Sequence, residues 1–203
     1  MVNSVNIGVI GYQGAITEHL SILKKTFEYT KTKGFIKNIK KKNDLENIDG
    51  IIIPGGESTT ISKLLIKNDL HDEISKKIEE NSIAIMGTCA GCVLLSSELA
   101  NANAEIKLLS AMKMKVKRNA FGRQKESFEK KIKIDNFSEL YNAIFIRAPV
   151  IEKVWGNCKI ISKLNSNIVM AQQENLLGLS FHPELTNDIR IHKYFINLIK
   201  NYF

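Results

Sequence analysis

The rhythm of apolar and polar positions changes about halfway along the chain. In the first half, short unbroken apolar runs alternate with stretches of helical period. Residues 5–10 form a compact apolar run that predicts a buried strand. After it, Ile16, Leu20, Leu23 and Phe27 fall at i, i+4, i+7 and i+11, one face of a helix. Residues 34–39 and 50–53 read as a second and a third strand. Residues 58–68 read as a helix that Ser58 or Thr59 can cap, and residues 71–81 as another. A fourth strand at 83–87 runs into a small-residue turn over 88–91 and a helix through Leu99.

Past residue 104 the texture is strand-like, with runs at 112–116, 128–134, 144–147, 160–164 and 168–172 separated by polar turns. The chain then returns to helical period, with Ile191, Tyr194, Phe195, Leu198, Ile199 and Tyr202 on one stripe. Strand–helix alternation predicts an α/β fold with a mostly parallel central sheet flanked by helices on both faces. The second half predicts antiparallel additions to that sheet. With no repeat, linker or low-complexity stretch, residues 1–203 read as a single domain. Ligands of open α/β sheets bind outside the carboxyl ends of the strands. The segments just after Ile10, Ile53 and Gly87 are therefore expected to share one crevice.

Composition narrows the picture modestly. With 44% apolar and 25% charged residues, this is the make-up of a globular protein able to bury its own core. The longest apolar runs fall far short of the ~20 residues that span a bilayer, so no membrane segment is expected. The N-terminus lacks the basic and apolar regions of an export signal, and the cytoplasm is the default expectation. The net charge of +8 is mostly lysine, dense only at 37–42 and not interleaved with aromatics, which make up 7% of the chain. That pattern describes a solvated basic surface, and no nucleic-acid partner is expected. An odd count of three cysteines argues against a disulfide framework.

Chemistry collects in three places, and the chain's three prolines, Pro54, Pro149 and Pro183, each sit in a segment that reads as a rigid turn, IIIPGGEST, FIRAP and SFHPEL. Gly87-Thr88-Cys89-Ala90-Gly91 joins a strand to a helix. Small flanking residues let the chain turn sharply and lift the Cys89 thiol above the sheet edge, the geometry of a nucleophile elbow. The helix that follows favours negative charge at that point, and the N–H of Ala90 is placed to face an oxyanion. Two other readings compete: Cys89 and Cys92 form a C-x-x-C that could be a redox pair or half of a metal site, and an inert core cysteine is the bland one. No second C-x-x-C exists, so no metal is expected. In His182-Pro183-Glu184 the proline keeps His182 out of helical geometry, and in an extended segment residues i and i+2 project to the same side. Glu184 could then orient His182, which could serve Cys89 as base. Gly55-Gly56-Glu57-Ser58 follows a strand and allows close backbone approach to a ligand. The N–H of Gly56 could complete an oxyanion hole; a phosphate-cradling loop is the rival, without a Walker or G-x-G-x-x-G pattern.

Taken together, PGGES, GTCAG and SFHPEL in this order resemble the class I (triad) glutamine amidotransferases. A longer string narrows the resemblance: G-x-Q-G-A at 11–15, PGGESTT at 54–60, RNAFGRQ at 118–124, S-F-E at 127–129, FIRAP at 145–149 and SFHPELT-x-D-x-R-x-H at 180–192. These are similar to the PdxT/SNO family, the glutaminase subunits of pyridoxal 5′-phosphate synthase, over essentially the whole chain. The resemblance implies Cys89 as nucleophile, His182 as base and acid, and Glu184 as its orienter. It implies that Gly56, Glu57, Ser58, Arg118, Ile146 and Arg147 hold L-glutamine, the arginines through the planar fork that grips a carboxylate. It also implies a (β/α)8-barrel synthase subunit as partner in a large hetero-oligomer, internal transfer of ammonia for vitamin B6 synthesis, and no cofactor on this chain. Gln13 is implied at the rim of the ammonia path. Cys92 stands where the family usually carries an aliphatic residue. A thiol oxidoreductase and a non-catalytic binding module remain as readings from other classes.

Overall fold

The computed structural model describes residues 4–101, 105–120 and 127–202; Phe121, Gly122, Arg123 and Gln124 of the RNAFGRQ segment lie outside the described residues. The first half runs β1 (Ile7–Ile10), α1 (Ile16–Thr30), β2 (Ile36–Ile39), β3 (Gly50–Ile53), α2 (Ser58–Lys67), α3 (Leu70–Glu79), β4 (Ala84–Thr88) and α4 (Ala90–Leu95). The second half runs β5 (Ser96–Leu99), β6 (Met112–Lys117), β7 (Ser127–Ile132), β8 (Tyr141–Ile146), β9 (Val150–Val154), β10 (Lys159–Leu164), β11 (Asn167–Gln173), β12 (Leu176–Leu179) and α5 (Arg190–Tyr202). The main sheet has the order β2-β1-β3-β4-β12-β11-β9-β6-β5, with β10 paired to β11; β7 and β8 form a separate hairpin.

Strands β2, β1, β3, β4 and β12 are mutually parallel, as the strand–helix alternation predicts. The runs of β1, β3, β4 and β12 are buried on both faces, and successive residues divide between two cores. Ile51 and Ile53 pack with Ile61 and Leu65 of α2, Leu70 and Ile74 of α3, and α4. Ile52 between them faces Leu23 and Phe27 of α1 and Phe195 and Ile199 of α5. This is the period of two expected of a strand, and truncating Ile52 to alanine there costs about 2–5 kcal/mol. Antiparallel β11, β9 and β10 extend the sheet as expected.

Several elements differ from the sequence expectation. The helix expected through Leu99 stops at Leu95, where the Ser96 hydroxyl donates to the Val93 carbonyl, and residues 96–99 form a strand instead. Strand β9 falls where a polar turn is expected, β12 falls in a stretch to which the pattern assigns no element, and β8 begins at Tyr141 rather than Ile144. The second half is not purely antiparallel: β12 inserts parallel to β4, and β5 pairs parallel to β6. Glu57, not Ser58 or Thr59, occupies the N-cap position of α2.

The buried stripes of two helices are also rotated from the apolar pattern. In α1 the buried side chains are His19, Ile22, Leu23, Thr26 and Phe27, while Ile16 and Leu20 are half-buried. In α5 they are Ile191, His192, Phe195, Ile196 and Ile199, while Tyr194 and Leu198 are half-buried and Tyr202 is exposed. Each helix thus turns a histidine toward the sheet.

Candidate active site

The segments after β1, β3 and β4 meet at one cavity of about 530 Å³ at the carboxyl ends of the parallel strands, as the fold class predicts. Gln13 and Gly14 come from the first segment; Gly56, Glu57 and Ser58 from the second; Cys89, Ala90 and Val93 from the third. The opposite wall is Arg118 and Asn119 after β6, Ser127, Ile146, Arg147 and Pro149 around β8, and His182 after β12. Every residue assigned to nucleophile, oxyanion hole or glutamine from the sequence therefore lines this cavity, except Glu184, which stands behind His182.

Cys89 sits at the turn between β4 and α4 with φ 49° and ψ −102°. For a side chain with a β-carbon this is a strained backbone, of the kind that tightly packed surroundings must hold in place. The surroundings are tight. The Cys89 N–H donates to the Leu179 carbonyl of β12 at 2.8 Å. A β-carbon on Gly87 would stand 2.5 Å from the backbone of Gly91, and one on Gly91 would stand 2.1 Å from the Ile53 carbonyl. Only glycine lets α4 pack this closely onto the strands. The elbow expected from the sequence is thus built by contacts that no larger residue permits. Since α4 begins at Ala90, the N–H groups of its first turn have no acceptor in their own helix. In the resting structure the Cys89 thiol is nearly buried and donates to the Ile146 carbonyl at 3.8 Å.

His182 has φ −109° and ψ 87°, outside helical geometry, and Pro183–Leu185 forms a single 3-10 turn. It is this turn, rather than the extended segment expected, that brings Glu184 back beneath the imidazole. His182 Nδ1 and Glu184 Oε1 lie 2.7 Å apart, with Glu184 wholly buried. The other ring nitrogen, Nε2, is buried and has no hydrogen-bond partner among the described residues, while the imidazole lies near enough to Cys89 for that residue to act on its titration. Burial disfavours the imidazolium, but hydrogen bonding to Cys89 and Glu184, with the charge of Glu184, more than offsets it and pushes the His182 pKa up to about 10. Burial likewise raises the Glu184 pKa, and the histidines His19 and His182 outweigh it to hold the carboxyl below its ordinary value. The His182 N–H donates to the Ile144 carbonyl at 2.8 Å, which ties this turn to the β7–β8 hairpin.

The glycine loop closes the site from the other side. The Glu57 N–H donates to Gln13 Oε1 at 2.8 Å, and Gly56 has φ 139°, a conformation natural to glycine. Thr60 donates to Glu57 Oε2 at 3.0 Å. Across the cavity, the Ala120 N–H donates to the Ala148 carbonyl, so the loops bearing Arg118 and Arg147 are held together at one rim. Arg147 has φ 43° and Asn119 φ 49°. Three non-glycine residues of positive φ thus border one cavity, the concentration of strain that marks functional sites.

Cys92 takes no part in the cavity lining. It is fully buried, and its sulfur converges with Met114 and Met112 on Gly178 of β12. Burial pushes its thiol far up. The described residues contain no group of His, Cys, Asp and Glu able to hold a metal ion, and no helix long and apolar enough to cross a membrane. Sequence reasoning missed Gly14, Val93, Asn119, Ser127 and Pro149 as cavity residues, and it missed His19 altogether. The missing signal for His19 was a polar residue at the buried spacing of α1.

The chain is similar to known proteins over nearly its whole length. Residues 9–201 match the model of the SNO glutamine amidotransferase family. The chain is 46% identical over 193 residues to the pyridoxal 5′-phosphate synthase subunit PdxT of Thermococcus kodakarensis, covering 95% of this chain and 98% of that protein. It is 45% identical over 203 residues to the PdxT of Staphylothermus marinus, covering 96% and 98%. A crystal structure described as a glutamine amidotransferase superposes with a TM-score of 0.85 at 37% identity, covering 96% of this chain and 98% of that one. On these matches, spanning nearly its whole length, the chain belongs to the SNO glutamine amidotransferase family.

Proposed function

We propose that this chain is the glutaminase subunit of a pyridoxal 5′-phosphate synthase, hydrolysing L-glutamine through Cys89, His182 and Glu184. The observation that carries this reading is the 2.7 Å contact between buried His182 and Glu184 directly beside a thiol held at a strained elbow. Family membership and the PdxT names of its relatives point to the same activity.

The residues supply each step. With its Nδ1–H held by Glu184, His182 receives the sulfur's proton on Nε2 and holds it as an imidazolium, in keeping with its raised pKa. The sulfur attacks the side-chain carbonyl carbon of glutamine, and the resulting oxyanion lies between backbone N–H groups of Gly56 and Ala90. The C–N bond breaks as His182 returns its proton to the nitrogen, and ammonia leaves. Water, deprotonated by the same imidazole, then adds to the glutamyl thioester; the C–S bond breaks, glutamate departs and the thiol is restored. Glu57, Ser58, Ile146 and the guanidinium groups of Arg118 and Arg147 would hold the amino-acid end of the substrate, the arginines gripping its α-carboxylate.

The partner in this reading is a (β/α)8-barrel synthase subunit in a large hetero-oligomer in the cytoplasm, which receives the ammonia through an internal path that starts near Gln13. The Gly55–Gly56 peptide, free of side chains, can reorient on docking and so switch the oxyanion hole on. Ammonia release from glutamine, measured with and without the synthase subunit, tests the proposal. Release that depends on Cys89 and rises with the partner is expected; full release by a Cys89→Ser variant would refute the triad.

A further inference from the structure

Glu184 uses only half of its carboxylate on His182. The other oxygen, Oε2, is buried and has no completed hydrogen bond among the described residues. The polar group facing it is Nε2 of His19, 3.3 Å away, on a side chain that is itself fully buried on α1. A carboxylate taken out of water needs donors for both oxygens. His19 is placed to be that donor, although it lies 165 positions from Glu184 in the chain.

His19 is in turn backed by a second histidine. Its Nδ1 lies 3.4 Å from Nε2 of His192 on α5, the two rings meeting edge to face with centroids 5.6 Å apart. Its Nε2 is also 3.4 Å from the Thr88 hydroxyl, next to the nucleophile. Burial drives the pKa of His19 down, against the pull of Glu184, and burial with the neighbouring His19 drives that of His192 well down. The remaining titratable groups acting on this cluster are His182, Glu18 on α1 and Tyr141 on β8.

Two neutral imidazoles have one N–H each, and geometry selects where they sit. If His19 carried its proton on Nδ1, a bare Nε2 lone pair would face a buried carboxylate oxygen. With the proton on Nε2, His19 donates to Glu184, its bare Nδ1 accepts from His192 Nε2–H, and only the Nδ1 lone pair of His192 is left unpaired. That atom is indeed buried and without a partner. An orphaned lone pair is the cheapest defect this chain of groups can have, since an orphaned donor or carboxylate is rarer in native interiors.

We infer that His19 is a positioning residue of the catalytic site: as the Nε2–H tautomer fixed by His192, it donates to Glu184 Oε2 and so locks the carboxylate that orients His182. The inference rests on the triad reading above. It makes the packing of α1 against α5 part of the catalytic apparatus, although neither helix supplies a triad residue.

The test is steady-state glutaminase kinetics on the complex with the synthase subunit, comparing His19→Leu with His19→Gln, whose amide can still donate to Glu184. His19→Leu is expected to lower kcat at least tenfold with KM for glutamine within twofold, and to move the acid limb of the kcat profile to higher pH, because Glu184 then protonates more readily. His19→Gln is expected to recover most of kcat and return the limb. Nitrogen-15 NMR of the wild-type imidazoles is expected to find His19 protonated on Nε2 alone near neutral pH. A folded His19→Leu with unchanged kcat and pH limb overturns the inference. So does a His19→Gln as impaired as His19→Leu when both melt like wild type, or a His19 protonated on Nδ1. Should His19→Leu not fold, the tautomer measurement decides. Cys89→Ser run in parallel separates the two readings: if it is inactive while His19→Leu is fully active, only this inference falls; if it is active, the triad falls.

Discussion

Gly55 lies directly against the imidazole of His182: a β-carbon at Gly55 would stand 2.4 Å from His182 Cε1 and 3.3 Å from Cys89 Cβ. The proposed base and nucleophile therefore close on the same backbone atom, and their mutual placement is set by the absence of a side chain. Gly55→Ala must push the ring away or move the loop. A displacement of about 1 Å from productive geometry costs on the order of 100-fold in rate, so kcat for ammonia release is expected to fall by about that factor while the fold survives. Kinetics with a thermal melt of the same sample checks both halves.

The strained backbone of Cys89 makes an inverted stability order. At most positions glycine is less stable than alanine by roughly 0.5–1 kcal/mol. At φ 49° and ψ −102° the alanine retains the steric clash and the glycine relieves it, so Cys89→Gly is expected to be more stable than Cys89→Ala by about 1 kcal/mol. For a chain of this size that is about 2–4 °C in Tm. Both variants are expected to be inactive. A glycine variant melting below the alanine variant would show that the elbow is unstrained.

The pH dependence of stability follows from the pair below the thiol. His182 is raised to about 10 in the folded protein, above its unfolded value near 6.5. Its contribution is therefore fully present below about pH 6.5 and is lost as pH rises toward 10. Glu184 is depressed, so its contribution is present above its unfolded value and is lost as pH falls through the folded one. Melting temperatures of wild type and His182→Gln across pH 6–11 are expected to converge at the alkaline end. A constant gap would remove the imidazolium from the resting state.

Arg147 faces the cavity from a residue of φ 43° just after β8. If its fork grips the α-carboxylate of glutamine at two points, Arg147→Lys keeps the charge and loses the second contact. A roughly tenfold rise in KM, equivalent to about 1.4 kcal/mol, is expected with little change in Tm. An unchanged KM would take Arg147 out of the substrate site.

Much of the fold was legible because the central strands β1, β3 and β4 are continuous apolar runs, and the site was legible because turns that must be tight leave glycines and prolines behind. A β-carbon at Gly55, Gly87 or Gly91 would stand 2.4, 2.5 or 2.1 Å from its nearest neighbour. Period alone could not find β12, since four buried residues, Leu176–Leu179, look the same whether they cross a sheet or end a loop. Nor could it stop α4 at Leu95, where a serine hydroxyl bonding back to Val93 ends the helix locally. His19 and His192 escaped for a different reason. Each occupies a buried position whose polar identity hid it from an apolar stripe, and the partners that each does find lie far away in sequence.

The late insertion of β12 has a consequence for synthesis. Cys89 is translated before the chain is half made, yet its backbone N–H is held by Leu179, and its proposed base and orienter follow at 182 and 184. A ribosome-bound chain that has emerged only through Met170 owns the sulfur but not the strand that fixes it or the imidazole that activates it. With the proposed triad, ammonia production is withheld from unfinished chains by the order of the strands, and begins only when the sheet closes at its centre.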